Sequence, residues 1–102
     1  MTYKGSTPTQ TFTFPEEVDF STVRNIYVTY SNMDETKIFR KTGDQLTVDT
    51  HSISIDLSQE DTLKLSKDYI VQVNWTFGNG KRAVSNKIHM KAESNLENEV
   101  LP

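Results

Sequence analysis

The chain contains no cysteine, and it has little glycine and proline. Its 102 residues include four Gly and three Pro. Without cysteine the chain can form neither a disulfide framework nor a thiolate metal site, and its redox compartment is left open. No apolar run reaches the roughly 18 residues of a membrane-spanning helix. The first residues also lack the pattern of a signal peptide, in which a basic segment is followed by an apolar run. We therefore expect no membrane span and no signal peptide in the chain as given.

An excess of positive charge is also lacking. The formal net charge is -3, and the basic residues are interleaved with acidic ones. A surface that follows a nucleic-acid backbone needs clustered cations. We therefore expect no nucleic-acid partner.

What the chain does have is large β-forming side chains at every second position, a period that places them on one face of a strand. Ile26, Val28 and Tyr30 share one face of a predicted strand, and Tyr27 and Thr29 share the other. The same alternation predicts further strands at 10–14, 36–41, 46–49, 53–57, 69–77 and 81–90.

The two-residue spacing of large side chains is interrupted once by a different pattern, after residue 57. The hydroxyl of Ser58 can accept a backbone amide at a helix start, and Glu60 and Asp61 place negative charge against the positive end of the helix dipole. We predict one short helical turn near 58–66.

Seven strands with turns every 8 to 12 residues are typical of an antiparallel sandwich of immunoglobulin-like type. We therefore predict an all-β, immunoglobulin-like antiparallel β-sandwich of about seven strands, formed as a single domain by residues 1–93. Residues 94–102 are polar and acidic. They are interpreted as a C-terminal tail that is either frayed or a docking arm for a neighbouring subunit.

Residue patterns that carry chemistry are missing. His51 and His89 do not have the spacing of metal ligands, and the serines lack the context of a nucleophile elbow. The turn at 78–80 joins two strands, whereas a phosphate-binding loop opens a helix. We expect no catalytic residue, no cofactor and no metal, and therefore a protein that is not an enzyme.

Several aromatic residues have two interpretations. Trp75 could be a platform for sugar stacking, but its parity with Val71 and Val73 favours the core. Tyr3, Tyr27 and Phe39 are candidates for an interaction surface, although Phe39 is equally compatible with the core.

A resemblance to a known family covers nearly the whole chain. The stretches that carry it are 5–14, 26–31, 57–63, 71–75 and 80–86. In them the chain resembles a family of small structural proteins from the tail and baseplate region of phages and prophages of Gram-positive bacteria. Its layout is similar to the immunoglobulin-like N-terminal domain of baseplate upper proteins.

The resemblance implies a non-enzymatic role in the virion or in its assembly. The expected partners are neighbouring tail proteins or further copies of the chain, in the virion or in the host cytoplasm during assembly. The alternative is a carbohydrate- or cell-surface-binding module, in which Tyr27 or Trp75 is exposed beside polar residues. An enzyme is the third possibility, and it requires a cleft with converging titratable groups.

Overall fold

The computed structural model describes residues 2–93 and Leu101. These residues form nine strands, one α-helix and two single turns of 3-10 helix, at Phe20–Thr22 and Gly43–Gln45. In chain order the strands and the helix are β1 (Thr2–Tyr3), β2 (Thr9–Thr13), β3 (Val23–Asn32), β4 (Lys37–Thr42), β5 (Leu46–Val48), β6 (Ser52–Asp56), α1 (Gln59–Lys64), β7 (Asp68–Phe77), β8 (Arg82–Val84) and β9 (Ile88–Glu93).

The strands form two sheets that pack face to face. The six-stranded sheet has the order β1-β9-β7-β3-β4, with β8 also paired to β7, and the three-stranded sheet has the order β2-β6-β5. Three pairs of consecutive strands, β3–β4, β5–β6 and β7–β8, are antiparallel. The predicted all-β sandwich of antiparallel strands with one short helical turn is thus confirmed.

Two details differ from the sequence prediction. The chain has nine strands in its described part where we predicted about seven, because β1 was not foreseen and the last strand is split into β8 and β9. In addition, β1 runs parallel to β9, with Thr2 opposite Ala92. A strand of two residues carries too little alternation to be recognised from its sequence.

Ser85 explains why the last strand is split. β8 pairs with residues 74–76 of β7 and β9 with residues 68–71 of the same strand. Between them, the backbone N–H of Val73 donates to the hydroxyl of Ser85 at 2.9 Å. A side-chain oxygen thereby replaces a backbone carbonyl, so the ladder is interrupted while the buried amide of Val73 keeps a partner.

The core is built from the inward residues of both sheets. Trp75 is 7% exposed and contacts Phe14 and Phe20 edge to face, with ring centroids 5.9 and 5.5 Å apart. Phe14 and Phe20 make the same kind of contact at 5.2 Å. The prediction that Trp75 belongs to the core is therefore confirmed, as is the inward parity of Val28 and Tyr30.

The helix begins where the sequence predicts. The hydroxyl of Ser58 accepts a hydrogen bond from the Asp61 amide at 3.1 Å, and the Ser58 amide donates to the Asp61 carboxylate at 3.0 Å. Lys41 of β4 forms an ion pair with the same carboxylate at 2.8 Å. Burial alone would raise the pKa of Asp61, but the hydrogen bonds from Lys41 and from the Ser58 amide outweigh burial and lower it.

None of the helices within residues 2–93 has the length and apolar character needed to cross a membrane. The predicted C-terminal tail at 94–102 lies outside the described residues, with the exception of Leu101. The Leu101 amide donates to Oε1 of Gln59 at 2.6 Å, and its carbonyl accepts from Nε2 of the same side chain at 2.9 Å.

A basic groove on the outer face of the six-stranded sheet

The candidate site is a groove on the outer face of the six-stranded sheet. Because side chains alternate along a strand, the residues between the inward ones of β3 and β7 face away from the core. Across the sheet Tyr27 lies opposite Asn74, Thr29 opposite Gln72, and Ser31 opposite Ile70. These residues line a hollow of about 400 Å³, which we call the basic groove.

The groove exists because short side chains lie between long ones. Thr29 and Ser31 lie in the second half of β3, and the pairing places Arg40 of β4 beside Thr29 and Lys37 beside Ser31. On the other side, Arg82 of β8 lies opposite Thr76 of β7. Tyr27 to Ser31 spans about 13 Å at the usual strand rise of roughly 3.3 Å per residue. The groove can therefore accommodate several residues of an extended chain.

The groove gathers positive charge in an acidic protein. Its lining includes the cations Lys37, Arg40, Arg82 and Lys87 and one carboxylate, Glu35. These give the groove a net charge of +3, whereas the whole chain carries -3. The remaining residues therefore hold six excess negative charges, so the protein has a strongly polarised surface.

Among the residues that the structure describes, most of these cations lack a carboxylate partner. Lys87 forms an ion pair with Glu35 across the mouth of the groove. Arg82 instead donates from Nε and Nη2 to Oδ1 of Asn74, at 3.0 and 2.7 Å. The guanidinium of Arg40 lies over the ring of Tyr27, 5.4 Å from its centroid. Within residues 2–93, Lys37, Arg40 and Arg82 form no ion pair.

This combination of groups suits the binding of an anion. Guanidinium groups recognise carboxylate or phosphate with paired hydrogen bonds, and the neighbouring amides and hydroxyls supply further donors. Gln72 is held in place by a hydrogen bond from its Nε2 to the Ser85 carbonyl at 3.0 Å. The groove is thus partly organised by the same residue that splits the last strand.

The structure does not bring the three predicted surface residues together. Tyr3 is 53% exposed on β1, whereas Tyr27 lines the basic groove on β3, and two strands, β9 and β7, separate them. Phe39 stacks on Tyr30 with ring centroids 4.6 Å apart and packs against the core. Phe39 thus packs against the core while part of its side chain remains exposed.

Sequence reasoning missed the cations of the groove. Lys37 and Lys87 are 50 positions apart, and the intervening acidic residues made the charge look evenly mixed. One local signal was available, because β4 contains Lys37, Arg40 and Lys41 and no acidic residue. That β4 and β8 contribute cations to the same groove follows only from the order of the strands in the sheet.

The comparisons with known proteins add no relative. No protein-family model, curated protein or solved structure matches this chain.

Proposed function

We propose that the protein is a non-enzymatic structural and interaction module of a phage or prophage tail assembly, including its baseplate. In this proposal the basic groove binds a neighbouring tail protein. The observation that carries the interaction role is the convergence of four cations on one open sheet face of an otherwise acidic chain. The assignment to a tail is supported by the resemblance of the sequence to tail and baseplate proteins.

The charges of β4 favour a different partner protein over a second copy of the chain at this surface. β4 is the last strand in the order of the six-stranded sheet, and β3 is its one neighbour among the described strands. If two copies paired there edge to edge, Lys37, Arg40 and Lys41 of one would lie beside the same cations of the other. Like charges on facing strands destabilise pairing, and edge cations are a common protection against it.

The second candidate is a carbohydrate- or cell-surface-binding module. It is favoured by the position of Tyr27, which lies in the groove beside Gln72 and Asn74. Two observations count against it. Arg40 covers one face of the Tyr27 ring, and Trp75 is buried in the core, so neither aromatic side chain offers a fully open stacking surface.

Co-expression with the products of neighbouring genes tests the proposal. The tagged protein is purified after co-expression with each neighbour, and the mass of the complex is measured. We expect capture of a tail protein by the wild type. A charge-matched control, Arg24→Glu with Lys64→Glu, changes exposed cations outside the groove, and we expect the same capture. We expect about tenfold less capture by Lys37→Glu with Arg40→Glu.

Two results would contradict the proposal. One is a monomeric mass at every concentration without capture of any neighbouring gene product. The other is specific binding on a glycan array that is lost in the Lys37→Glu, Arg40→Glu variant, which would favour the carbohydrate-binding module instead.

A further inference from the structure

We propose that the β4 side of the basic groove, formed by Lys37 and Arg40, recognises an extended acidic peptide segment of the partner protein, which adds as a strand to the open edge of β4. This inference rests on the proposed function and specifies the chemistry of the partner. An added strand gains main-chain hydrogen bonds from the sheet edge and specificity from its alternating side chains. Both contributions can be located in the structure.

The edge of β4 is suited to such an addition. β3 pairs with one side of β4, and no described strand pairs with the other. The pairing with β3 shifts between Tyr30 and Ser31, so that Ile38 is an extra residue in β4. From Phe39 to Thr42 the pairing with β3 is regular, so alternate residues direct their backbone N–H and C=O groups away from β3 toward an incoming strand. The Thr42 amide already donates to Oε1 of Gln45 at 3.0 Å, so the added strand competes with this side chain at the end of β4.

The side chains of the edge explain why the segment should be acidic. Arg40 and Lys37 lie on the outer face, and facing residues on adjacent strands have Cβ atoms about 5 Å apart. A glutamate on the outer face of the added strand can therefore reach Arg40 directly. On the inner face the added strand meets Phe39, which is half-buried and favours an apolar neighbour. The structure therefore points to a segment that alternates acidic and apolar residues.

Glu35 opposes the binding of this ligand. Among the described residues it is the one carboxylate that lines the groove, and it lies two residues before Lys37, at the start of β4. Its exposed negative charge therefore repels an incoming carboxylate, although its ion pair with Lys87 reduces this repulsion. Removing the charge of Glu35 should therefore strengthen binding, whereas removing a cation should weaken it.

A designed peptide tests the inference without knowledge of the natural partner. The probe is a fluorescent, amidated heptapeptide that alternates glutamate and valine, and its affinity is measured by anisotropy at low ionic strength. We expect the Lys37→Glu, Arg40→Glu variant to bind at least about tenfold more weakly than the Arg24→Glu, Lys64→Glu control. We expect Glu35→Gln to bind severalfold more tightly than the wild type. Urea unfolding checks that all variants remain folded.

Two modified probes separate strand addition from simple attraction of charges. The same peptide with alternate backbone amides methylated keeps its carboxylates but cannot form the ladder, and we expect it to bind at least about tenfold more weakly. A hexamer of uronic acid presents carboxylates on a saccharide, and we expect weaker binding than to the peptide. Amide hydrogen exchange in β4 should become slower when the unmodified peptide binds.

The inference is overturned if the methylated peptide binds as well as the parent, if the uronic acid oligomer binds more tightly, or if affinity is the same for the groove and control variants. Failure of the peptide together with groove-dependent capture of a tail protein overturns strand addition alone and leaves the proposed function standing. If neither the peptide binds nor a tail protein is captured through the groove, both strand addition and the proposed function are overturned.

Discussion

The hydroxyl of Tyr30 donates a 2.6 Å hydrogen bond to Oε1 of Gln10, and this bond connects the two sheets through the core. Nε2 of the same glutamine donates to the hydroxyl of Tyr69 at 2.9 Å. All three residues are buried. Burial raises the pKa of Tyr30, which keeps its hydroxyl protonated as a donor. One buried amide thus pairs with two phenols that face it from the opposite sheet.

Replacing Gln10 by alanine is expected to destabilise the protein by about 2–4 kcal/mol. The substitution leaves two buried phenol groups without their partner, and each such group costs about 1–3 kcal/mol. Urea unfolding measures the change. Thr11→Ala is a neighbouring control on the exposed side of β2, where Thr11 shares a hydrogen bond with Ser54, and we expect a loss below about 1 kcal/mol. Equal losses in the two variants would show that the Gln10 network does not stabilise the sandwich.

Replacing Trp75 by alanine should cost about 3–5 kcal/mol, because it removes the centre of the aromatic contacts with Phe14 and Phe20. The matched control is Tyr3→Ala, which truncates an exposed aromatic residue and should change stability by less than about 0.5 kcal/mol. Thermal unfolding followed by circular dichroism compares the two variants. A small loss for Trp75→Ala would contradict its assignment to the core and would reopen its interpretation as a binding platform.

The ion pair between Lys41 and Asp61 predicts a defined dependence on pH. Because the pKa of Asp61 is lower in the folded protein than its ordinary value of 3.8, the pair stabilises the fold above that value. The stabilisation is lost as the pH falls through the lower, folded pKa. Lys41→Met should therefore cost about 1–2 kcal/mol at neutral pH. The difference from the wild type should shrink progressively below pH 3.8.

Urea unfolding at a series of pH values between neutral and acidic measures this difference. Lys64→Met removes an exposed cation from the last turn of the helix and serves as the control, with an expected loss of about 0.5 kcal/mol or less. A loss for Lys41→Met that stayed constant down to the lowest pH would show that packing of the lysine stem, and not the ion pair, explains the effect.

Much of the fold could be predicted from residue alternation. The parity of Val28 and Tyr30, and of Val71 and Trp75, defines the inward face of the two central strands, and the structure buries all four. The capping residue Ser58 likewise marked the helix start. These signals are local, and they hold because burial of one strand face or the capping of one turn does not depend on distant residues.

The buried polar contacts and the basic groove could not be predicted, because they depend on which distant strands lie side by side. Gln10 shares parity with Phe12, so alternation places it on the inward face of β2, but the two tyrosines that pair with its buried amide lie 20 and 59 positions away. The basic groove requires β4, β3, β7 and β8 to lie side by side. Because strand order is set by long-range contacts, charges that look interleaved along the chain can still gather on one face.

The most direct test of the account compares amide hydrogen exchange of the protein alone and in complex with the captured tail protein. If the basic groove is the interaction surface, exchange should slow in β4, in the loop at 33–36 and at residues 85–87, which border the groove. The three-stranded sheet of β2, β6 and β5 should be unchanged. Slower exchange confined to that sheet, with β4 unaffected, would contradict the account.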